Sequence, residues 1–323
     1  MPVSYLGRGS YVKVGQESTW GNSVAQTVTS RVISMSLISS QEREGVSDLS
    51  TSDGAFAFRS FDAFYDSGGS ITIPCQYDGT GIWIYNALYK TPTTTGPDGS
   101  SLYTHTYLPS TDSPSLTVNV QRGSGTSERF VGAMVASMSI SISAGEQMEM
   151  ELDLICKQSE SGGSGARAAG LGTPTFGSGL AVNHYEAGTL GYNSQTYNIR
   201  SMTFSLDNKL EKRNLLGSKY TAQPAITDRR QITLEVTADW EDDNLYDAQI
   251  DGTASDVTIR FTNSSGHYFE LTLNEAKIVS YNDNITSVGR VERTMTFEGF
   301  ATSGGNAACE IVIKNASSSA VAN

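Results

Sequence analysis

The sequence has few basic residues, and this limits the partners that it can hold by charge. Lys and Arg number 22 against 34 Asp and Glu, which gives a formal net charge of −12. Proteins that grip nucleic acid by neutralising its phosphates need clustered Lys and Arg, and the chain has no such cluster. We therefore expect no specific binding of DNA, although an acidic protein can work beside DNA by repelling it.

Cysteine and long apolar runs are also scarce. Cys75, Cys156 and Cys309 are odd in number, far apart and without zinc-site spacing, so we expect reduced, buried thiols. No stretch reaches the roughly 18 apolar residues that a membrane span needs, and residues 1–22 lack a basic region followed by an apolar core. Synthesis in the cytoplasm without export, and no contact with a membrane, are the expectations.

Residues that carry catalysis or bind metals are few and scattered. None of the three histidines, His105, His184 and His267, has metal-ligand spacing. The sequence contains no phosphate loop, nucleophile elbow or dinucleotide fingerprint. Residues 241–247 are acidic but lack the alternating ligands and central glycine of a calcium loop, and acids suit the first turn of a helix. We expect no catalytic residues, no metal and no cofactor.

What the sequence has in quantity is alternation of apolar and polar residues, interrupted by turns rich in Gly, Ser, Asn and Asp. This period of two predicts a mainly β fold with little helix. Residues 157–180 are rich in glycine and poor in large apolar groups, which is typical of a flexible connection. The predicted organisation is an N-terminal arm (1–30), a first domain (31–157), a linker (158–183), a second domain (184–315) and a C-terminal tail (316–323).

Four elements recur in the same order on the two sides of this linker. The matched segments are 33–39 with 200–206, 68–88 with 229–249, 114–125 with 255–266, and 130–155 with 269–300. Each half then contains a strand, a strand followed by a short helix, a strand ending in a glycine turn, and a long hairpin. The order favours an internal duplication, and chance matching of alternating strands is the alternative.

The stretch SMSISISAGEQMEMELDL, residues 137–154, has an unusually uniform polar face. Pleat geometry sends Met and Leu or Ile side chains one way and only Ser or only acidic side chains the other. The second half repeats this composition in RSMTFSLD and VERTMTFEG. The candidate residues of this polar face are Ser139, Ser141, Glu149, Glu151, Asp153, Ser201, Thr203, Glu292, Thr294 and Glu298. An ordinary solvated sheet face would mix in basic residues, whereas short hydroxyls and carboxylates suit a surface past which a polyanion slides.

Two segments resemble bacteriophage tail tube proteins. They are YLGRGSYVKVGQESTWGN near the start and LLGSKYTAQPAITDRRQITLEVTADWEDDNLYDA at 215–248. The resemblance implies two tandem tail-tube-like β-sandwich or half-barrel domains, each with one short helix. It implies rings that stack into a hollow tail, with the acidic, hydroxyl-rich face lining the lumen through which the genome passes. Single-copy relatives form rings of six, so a tandem chain would form a pseudo-sixfold ring from three chains, each half lending four strands to the wall.

Aromatic and aliphatic residues occur where free loops would be polar. In the first half they are Phe56, Phe58, Phe61, Phe64 and Tyr65, and in the second half Leu215, Leu216 and Tyr220. The resemblance places here the long loop that reaches a neighbouring subunit or ring, so we predict an inter-subunit contact. The alternative is that these residues pack on their own core.

The sequence therefore predicts a structural virion protein, a major tail tube subunit, and not an enzyme. Its expected partners are copies of itself, the hub, terminator and tape-measure proteins of a tail, and DNA in transit without specific binding. The expected location is the virion tail, assembled in the host cytoplasm. The alternatives are a tail hub, tip or terminator subunit of the same fold, or a surface β-sandwich binding module. Residues 302–323 either complete the second domain or contact the next ring.

Overall fold

The computed structural model describes residues 7–46, 59–123, 125–160, 168–169, 171–239, 243–282, 292–301 and 307–321. Phe56 and Phe58, two of the predicted inter-subunit residues, lie outside this part of the chain. The described residues are mainly in strands, with two short α-helices, so the predicted fold class is confirmed.

The strands of the first half are β1 (Tyr11–Glu17), β2 (Val28–Arg31), β3 (Ser34–Met35), β4 (Ile38–Val46), β5 (Arg59–Pro74), β6 (Thr93–Thr95), β7 (Tyr103–Tyr107), β8 (Ser115–Arg122), β9 (Thr126–Ser143), β10 (Glu149–Ile155), β11 (Gln158–Glu160) and β12 (Ala168–Ala169). Those of the second half are β13 (Leu190–Tyr192), β14 (Gln195–Tyr197), β15 (Ile199–Asp207), β16 (Leu210–Arg213), β17 (Ala222–Ile226), β18 (Gln231–Asp239), β19 (Ser255–Thr262), β20 (Tyr268–Asn282), β21 (Glu292–Glu298) and β22 (Cys309–Asn315). The helices are α1 (Gly81–Leu88) and α2 (Asn244–Asp251), with a short 3-10 turn at His184–Glu186.

One antiparallel sheet runs through both halves of the chain. Its strand order is β4, β5, β10, β9, β15, β18, β21 and β20, with β3 extending the edge beside β4. Each half supplies four neighbouring strands, and the halves join where β9 pairs with β15. We call this the central sheet.

Alternation in the sequence gives the central sheet one buried face and one open face. In β10, Met150, Leu152 and Leu154 are buried while Glu149, Glu151 and Asp153 are exposed, as the period of two requires. The buried face packs against two flanking sheets, one with β2, β1, β8, part of β9 and β11, the other with β13, β19, part of β20, β22 and β7. Buried side chains from all three sheets belong to one continuous hydrophobic core.

Two long strands pass from a flanking sheet into the central sheet. The first, β9, bends at Gly132, whose φ of 64° is one that glycine adopts without strain. A Cβ at this position would also come within 3.0 Å of the Trp20 indole nitrogen. The second, β20, makes its transition near Glu275, which has a φ of 48°. These two strands occupy corresponding places in the two halves, because each is followed by the strand that pairs with it in the central sheet, β10 or β21.

Part of the segment predicted as an N-terminal arm is instead built into the first half. Strand β1 pairs with both β2 and β8, and its side chains Tyr11, Val12 and Val14 are buried. The physical reason is a buried carboxylate, since Glu17 accepts hydrogen bonds from the amides of Gly21 and Gly132, 2.8 and 2.9 Å away. The alternating apolar residues of β1, Val12 and Val14, form too short a run to predict a strand from the sequence alone.

Parts of the predicted linker (158–183) and of the predicted C-terminal tail (316–323) also pack on the folded chain. In the linker, Val182 is buried, and its amide donates to the carbonyl of Cys75 at 3.0 Å. Near the C-terminus, β22 pairs with β20 of its own half and with β7 of the first half. The carbonyl of Ala320 then accepts the Tyr107 hydroxyl at 2.7 Å. The division into two domains with an arm, a linker and a tail stays a prediction.

The three cysteines are free and buried, as the sequence indicated. Burial raises the pKa of the Cys75 and Cys309 thiols to about 12 each, and raises that of Cys156 as well. Such thiols stay protonated at neutral pH and are poor nucleophiles.

Candidate assembly surfaces

The open face of the central sheet is lined mainly by hydroxyl and carboxylate side chains, contributed by strands of both halves. Register places residues directly opposite one another in rows, and one complete row reads Ser34, Thr72, Glu151, Ser139, Ser205, Thr233, Glu298 and Lys277. The row on one side of it contains Glu149, Ser141, Thr203, Glu235 and Thr296. We call this surface the polar face.

All ten residues predicted for a polar surface lie on this one face. They are Ser139 and Ser141 on β9, Glu149, Glu151 and Asp153 on β10, Ser201 and Thr203 on β15, and Glu292, Thr294 and Glu298 on β21. Cross-strand pairing brings together the residues of the two halves, for example Ser141 opposite Thr203. That this face lines a channel stays a prediction.

Strand β18 contributes polar-face residues that were not among the sequence candidates. Thr233, Glu235 and Thr237 alternate with buried Leu234 and Val236. The sequence QITLEVTAD alternates apolar and polar residues as β21 does, so the polar residues of β18 could have been predicted in the same way.

The two halves of the polar face differ in how their carboxylates are compensated. Among the described residues, Glu149 and Glu151 form no ion pair, and Asp153 accepts a hydrogen bond from the Ser137 hydroxyl at 2.8 Å. In the second half Arg200 lies between two acids, 2.8 Å from Asp239 and 2.6 Å from Glu292. The first half therefore presents the less neutralised part of the face.

Two further ion pairs add to this compensation in the second half. Arg229 lies 3.1 Å from Glu298, and Lys209 lies 2.6 Å from Asp207. Burial acts to raise the pKa of Asp207, but hydrogen bonds from the Lys209 side chain and amide outweigh it and hold the pKa below its ordinary value.

The predicted inter-subunit residues lie on two projections at one end of the central sheet. One is the ribbon formed where β4 and β5 extend beyond β10, and the other is the β16–β17 hairpin. Phe61, Phe64 and Leu215 are exposed, and Leu216 at the hairpin tip is fully exposed. Of the described candidates, these four do not pack on the core.

Tyr65 and Tyr220 have a different role from their neighbours, because they tie the two projections together. Their rings meet edge to face with centroids 5.5 Å apart. The Tyr65 amide donates to the carbonyl of Lys219 at 2.8 Å, and Lys212 pairs with Asp66. The ribbon of one half and the hairpin of the other thus form one projecting unit.

The joint between the halves is closed by a single buried side chain, Asn208. Its backbone amide donates to the carbonyl of Ala136 at 2.9 Å. Its side-chain amide donates to the carbonyls of Val135 at 2.9 Å and Ala87 at 3.0 Å. Its side-chain oxygen accepts from Arg230 Nε at 2.7 Å, so every polar group of the side chain has a partner.

His105 is held by hydrogen bonds in the interior of the protein. His105 is buried, with Nδ1 2.9 Å from the Thr94 hydroxyl and Nε2 3.1 Å from the Asn315 side-chain oxygen. Across the residues that the structure describes, no group of three or more His, Cys, Asp or Glu side chains is arranged to hold a metal ion. Within the same part of the chain, none of the helices has the length and apolar character needed to cross a membrane.

Comparison with known proteins gives one finding. The model of a family described as phage tail tube protein matches residues 7–299, which is most of the chain. No curated protein matches the sequence.

Proposed function

The chain belongs to the phage tail tube protein family, a family of structural tail components, and we propose that it forms rings that stack into the hollow tube of a tail. The polar face would line the lumen, and the genome would pass along it. The observation that carries this proposal is the single polar face, continuous across eight strands and both halves.

The composition of the face suits a passage better than a binding site. Short Ser and Thr hydroxyls leave the surface without deep pockets, and carboxylates repel phosphates at distances up to about a Debye length, ~8 Å at physiological ionic strength. Arg200 and Arg229, basic residues beside the polar face, lie against carboxylates, so DNA would move along the face without specific contacts. This role requires no catalytic group, metal or cofactor.

A ring of three chains with pseudo-sixfold symmetry is supported by the order of strands in the central sheet. The first half supplies β4, β5, β10 and β9, and the second supplies β15, β18, β21 and β20 in the corresponding order. Within the described residues the sheet ends at β4 and β20, and each corresponds to a strand that is paired at the internal joint. Repeating that joint between chains would continue the sheet around a ring, and an open edge of this length is otherwise prone to uncontrolled pairing.

Stacking of rings would use the projecting unit at one end of the central sheet. Its exposed apolar side chains, Leu215 and Leu216 among them, would contact the next ring. The ends of such a tube would meet other tail proteins, namely a hub, a terminator and a tape measure, during assembly in the host cytoplasm.

Negative-stain electron microscopy of the purified chain, over a range of protein concentrations, tests the proposal. Tubes or stacked rings with a central hole are the expected result, and rotational averaging should give three chains in each ring. Compact monomers at every concentration, including after addition of preformed tail ends, would contradict the proposal and favour a hub or a binding module.

A further inference from the structure

The two helices occupy corresponding places in the two halves but differ in burial. Seven of the eight residues of α1 are buried, whereas only Leu245 and Ala248 are buried in α2. Tyr246 and Ile250, one turn apart on α2, remain 46% and 66% exposed. A helix face with this much apolar exposure indicates an absent partner.

The correspondence between the helices extends to their surroundings. Both have eight residues and end at a left-handed residue, Tyr89 with φ 79° and Gly252 with φ 64°. By this alignment Ala87 of α1 corresponds to Ile250 of α2.

The long strands beside the helices share an irregularity at the same place. In the pairing of β9 with β10 the register shifts at Ala136, between Val135 and Ser137. In the pairing of β20 with β21 it shifts at Val279, between Ile278 and Ser280. A β-bulge is a fixed feature of a strand pair, so Val135 and Ala136 correspond to Ile278 and Val279.

At the internal joint, these positions in the first half receive Asn208. The three carbonyls that accept its amide groups belong to Ala87, Val135 and Ala136. Their counterparts in the second half are the carbonyls of Ile250, Ile278 and Val279, at the open edge of the sheet. The Val279 side chain there is half exposed, and the Tyr281 ring packs 5.9 Å from that of Tyr246.

The counterpart of Asn208 in the first half is Gln41. Asn208 follows Ser201 by seven residues, Gln41 follows Ser34 by seven, and Ser201 and Ser34 pair in the same way with Thr237 and Thr72. Both residues carry a carboxamide, Asn208 directly after β15 and Gln41 within β4 at a shift in register, and β4 is the edge at the opposite side of the central sheet. In the single chain the Gln41 amide donates to the carbonyls of Glu42 at 3.1 Å and Phe64 at 3.3 Å. Ile33 and Ile38 on the same edge are exposed.

We propose that the face formed by α2 and the end of β20 binds the β3–β4 edge of a second copy of this chain, with Gln41 of that copy taking the place that Asn208 has at the internal joint. The inference rests on the proposed ring, and it names the residues that close the ring. Tyr246, Ile250 and Val279 are covered in that contact, as α1 is covered within the chain.

Two substitutions test the proposed contact, one at the amide and one on the helix. Gln41→Glu replaces a donor with an acceptor-only group that faces carbonyl oxygens, and Ile250→Lys places a charge in the apolar contact. Each variant should raise the protein concentration needed for ring formation by about tenfold or more, measured by sedimentation velocity and electron microscopy. Both positions are outside the core, so thermal unfolding of the unassembled chain should be unchanged.

The double variant, Gln41→Glu with Ile250→Lys, sharpens the test, because the two new charges attract only if the positions meet across the joint. Ring formation should return to within about threefold of the unmodified chain. Tyr185→Lys is the matched control, since Tyr185 is exposed and lies in the 3-10 turn, which is part of neither edge strand. Rings that form normally in both single variants, or a double variant no better than the singles, overturn the inference. If the unmodified chain forms no rings at all, it is the proposed function that fails.

Discussion

The two halves of the chain build the same arrangement of strands and give it different charges. In the first half, Glu149 and Glu151 project from β10 without an ion pair among the described residues, and their cross-strand neighbours are uncharged. In the second half, the corresponding strand β21 carries Glu292 and Glu298, each beside an arginine. The backbone pattern is thus set by alternation, while the net charge is set by a few residues at strand ends.

This difference separates the requirements of folding from those of function. A carboxylate that an arginine neutralises contributes to holding strands together and little to long-range repulsion, whereas an unpaired carboxylate does the reverse. If the polar face lines a tube, the repulsion felt by DNA comes mostly from the first half. The internal joint and the edges of the sheet allow a parallel comparison, between Asn208, whose amide donates to carbonyls of the other half, and Gln41, whose amide donates to the nearby carbonyls of Glu42 and Phe64.

Removing the joint amide should give the largest effect. Asn208→Ala removes one hydrogen bond from each of the carbonyls of Ala87 and Val135, which keep their bonds from Arg230 and Tyr89, and takes the acceptor from Arg230 Nε, which together costs about 1–3 kcal/mol of unfolding free energy. Gln41→Ala in the unassembled chain should cost no more than about 0.5 kcal/mol. Urea unfolding of the two variants measures both, and equal costs would show that the two positions are not related in the way we describe.

Reversing the unpaired charges should affect passage without affecting the fold. Glu149→Lys, Glu151→Lys and Asp153→Lys together replace exposed side chains, so stability should change by less than about 1 kcal/mol and tubes should still form. DNA phosphates would then be attracted, and ejection from assembled particles should slow by about tenfold at low salt.

The matched control for this triple variant is Thr233→Lys, Glu235→Lys and Thr237→Lys on β18. It adds the same number of lysines to the same face but removes only one carboxylate, and so should slow ejection less. Ejection at the normal rate from the first-half variant would remove the argument for repulsion.

Removing the Arg200 ion pairs should make the polar face of the second half more negative, as it is in the first half, at a small cost in unfolding free energy. Arg200→Gln removes the ion pairs of this arginine with Asp239 and Glu292, and partly exposed pairs of this kind contribute about 0.5–1 kcal/mol. The loss should shrink as salt is raised from 0.05 M to 0.5 M because salt screens exposed charges. A cost independent of salt would mean that Arg200 acts by packing and not by charge.

The polar face could be predicted from the sequence because it follows from alternation alone. In SISIS and MEMELDL each apolar residue is buried and each polar residue lies on the same face, as the pleat requires. The exposed apolar residues of the projections were predictable for a similar reason, since Phe61, Phe64 and Leu216 stand in segments where no pattern provides a core. Tyr65 and Tyr220 differ because their rings pack against each other, and no local sequence pattern predicts that contact.

Contacts between distant segments could not be predicted in this way. The pairing of β9 with β15 and of β22 with β7 depends on which strand edges meet, and alternation is the same for any choice of neighbour. The ion pairs of the second half could not be predicted for the same reason, because Arg200 pairs with acids on two other strands. The N-terminal strand β1 was missed because its pairing with β8 and the hydrogen bond from the Gly132 amide to Glu17 join segments about 100 residues apart in the chain.

The smallest expected effect concerns pH and the pair of Asp207 with Lys209. The pKa of Asp207 in the folded chain lies below the ordinary value of 3.8, so the folded state binds a proton less readily than the unfolded state. Its contribution to stability is therefore present above about pH 4 and is lost as pH falls through the lowered pKa. Asp207→Asn should flatten the decline of stability with acid in this range, while Ser205→Ala on the same strand should leave the decline unchanged. Urea unfolding between pH 2.5 and pH 5 measures the difference, and identical profiles for the two variants would show that Lys209 does not stabilise the charged form of this carboxylate.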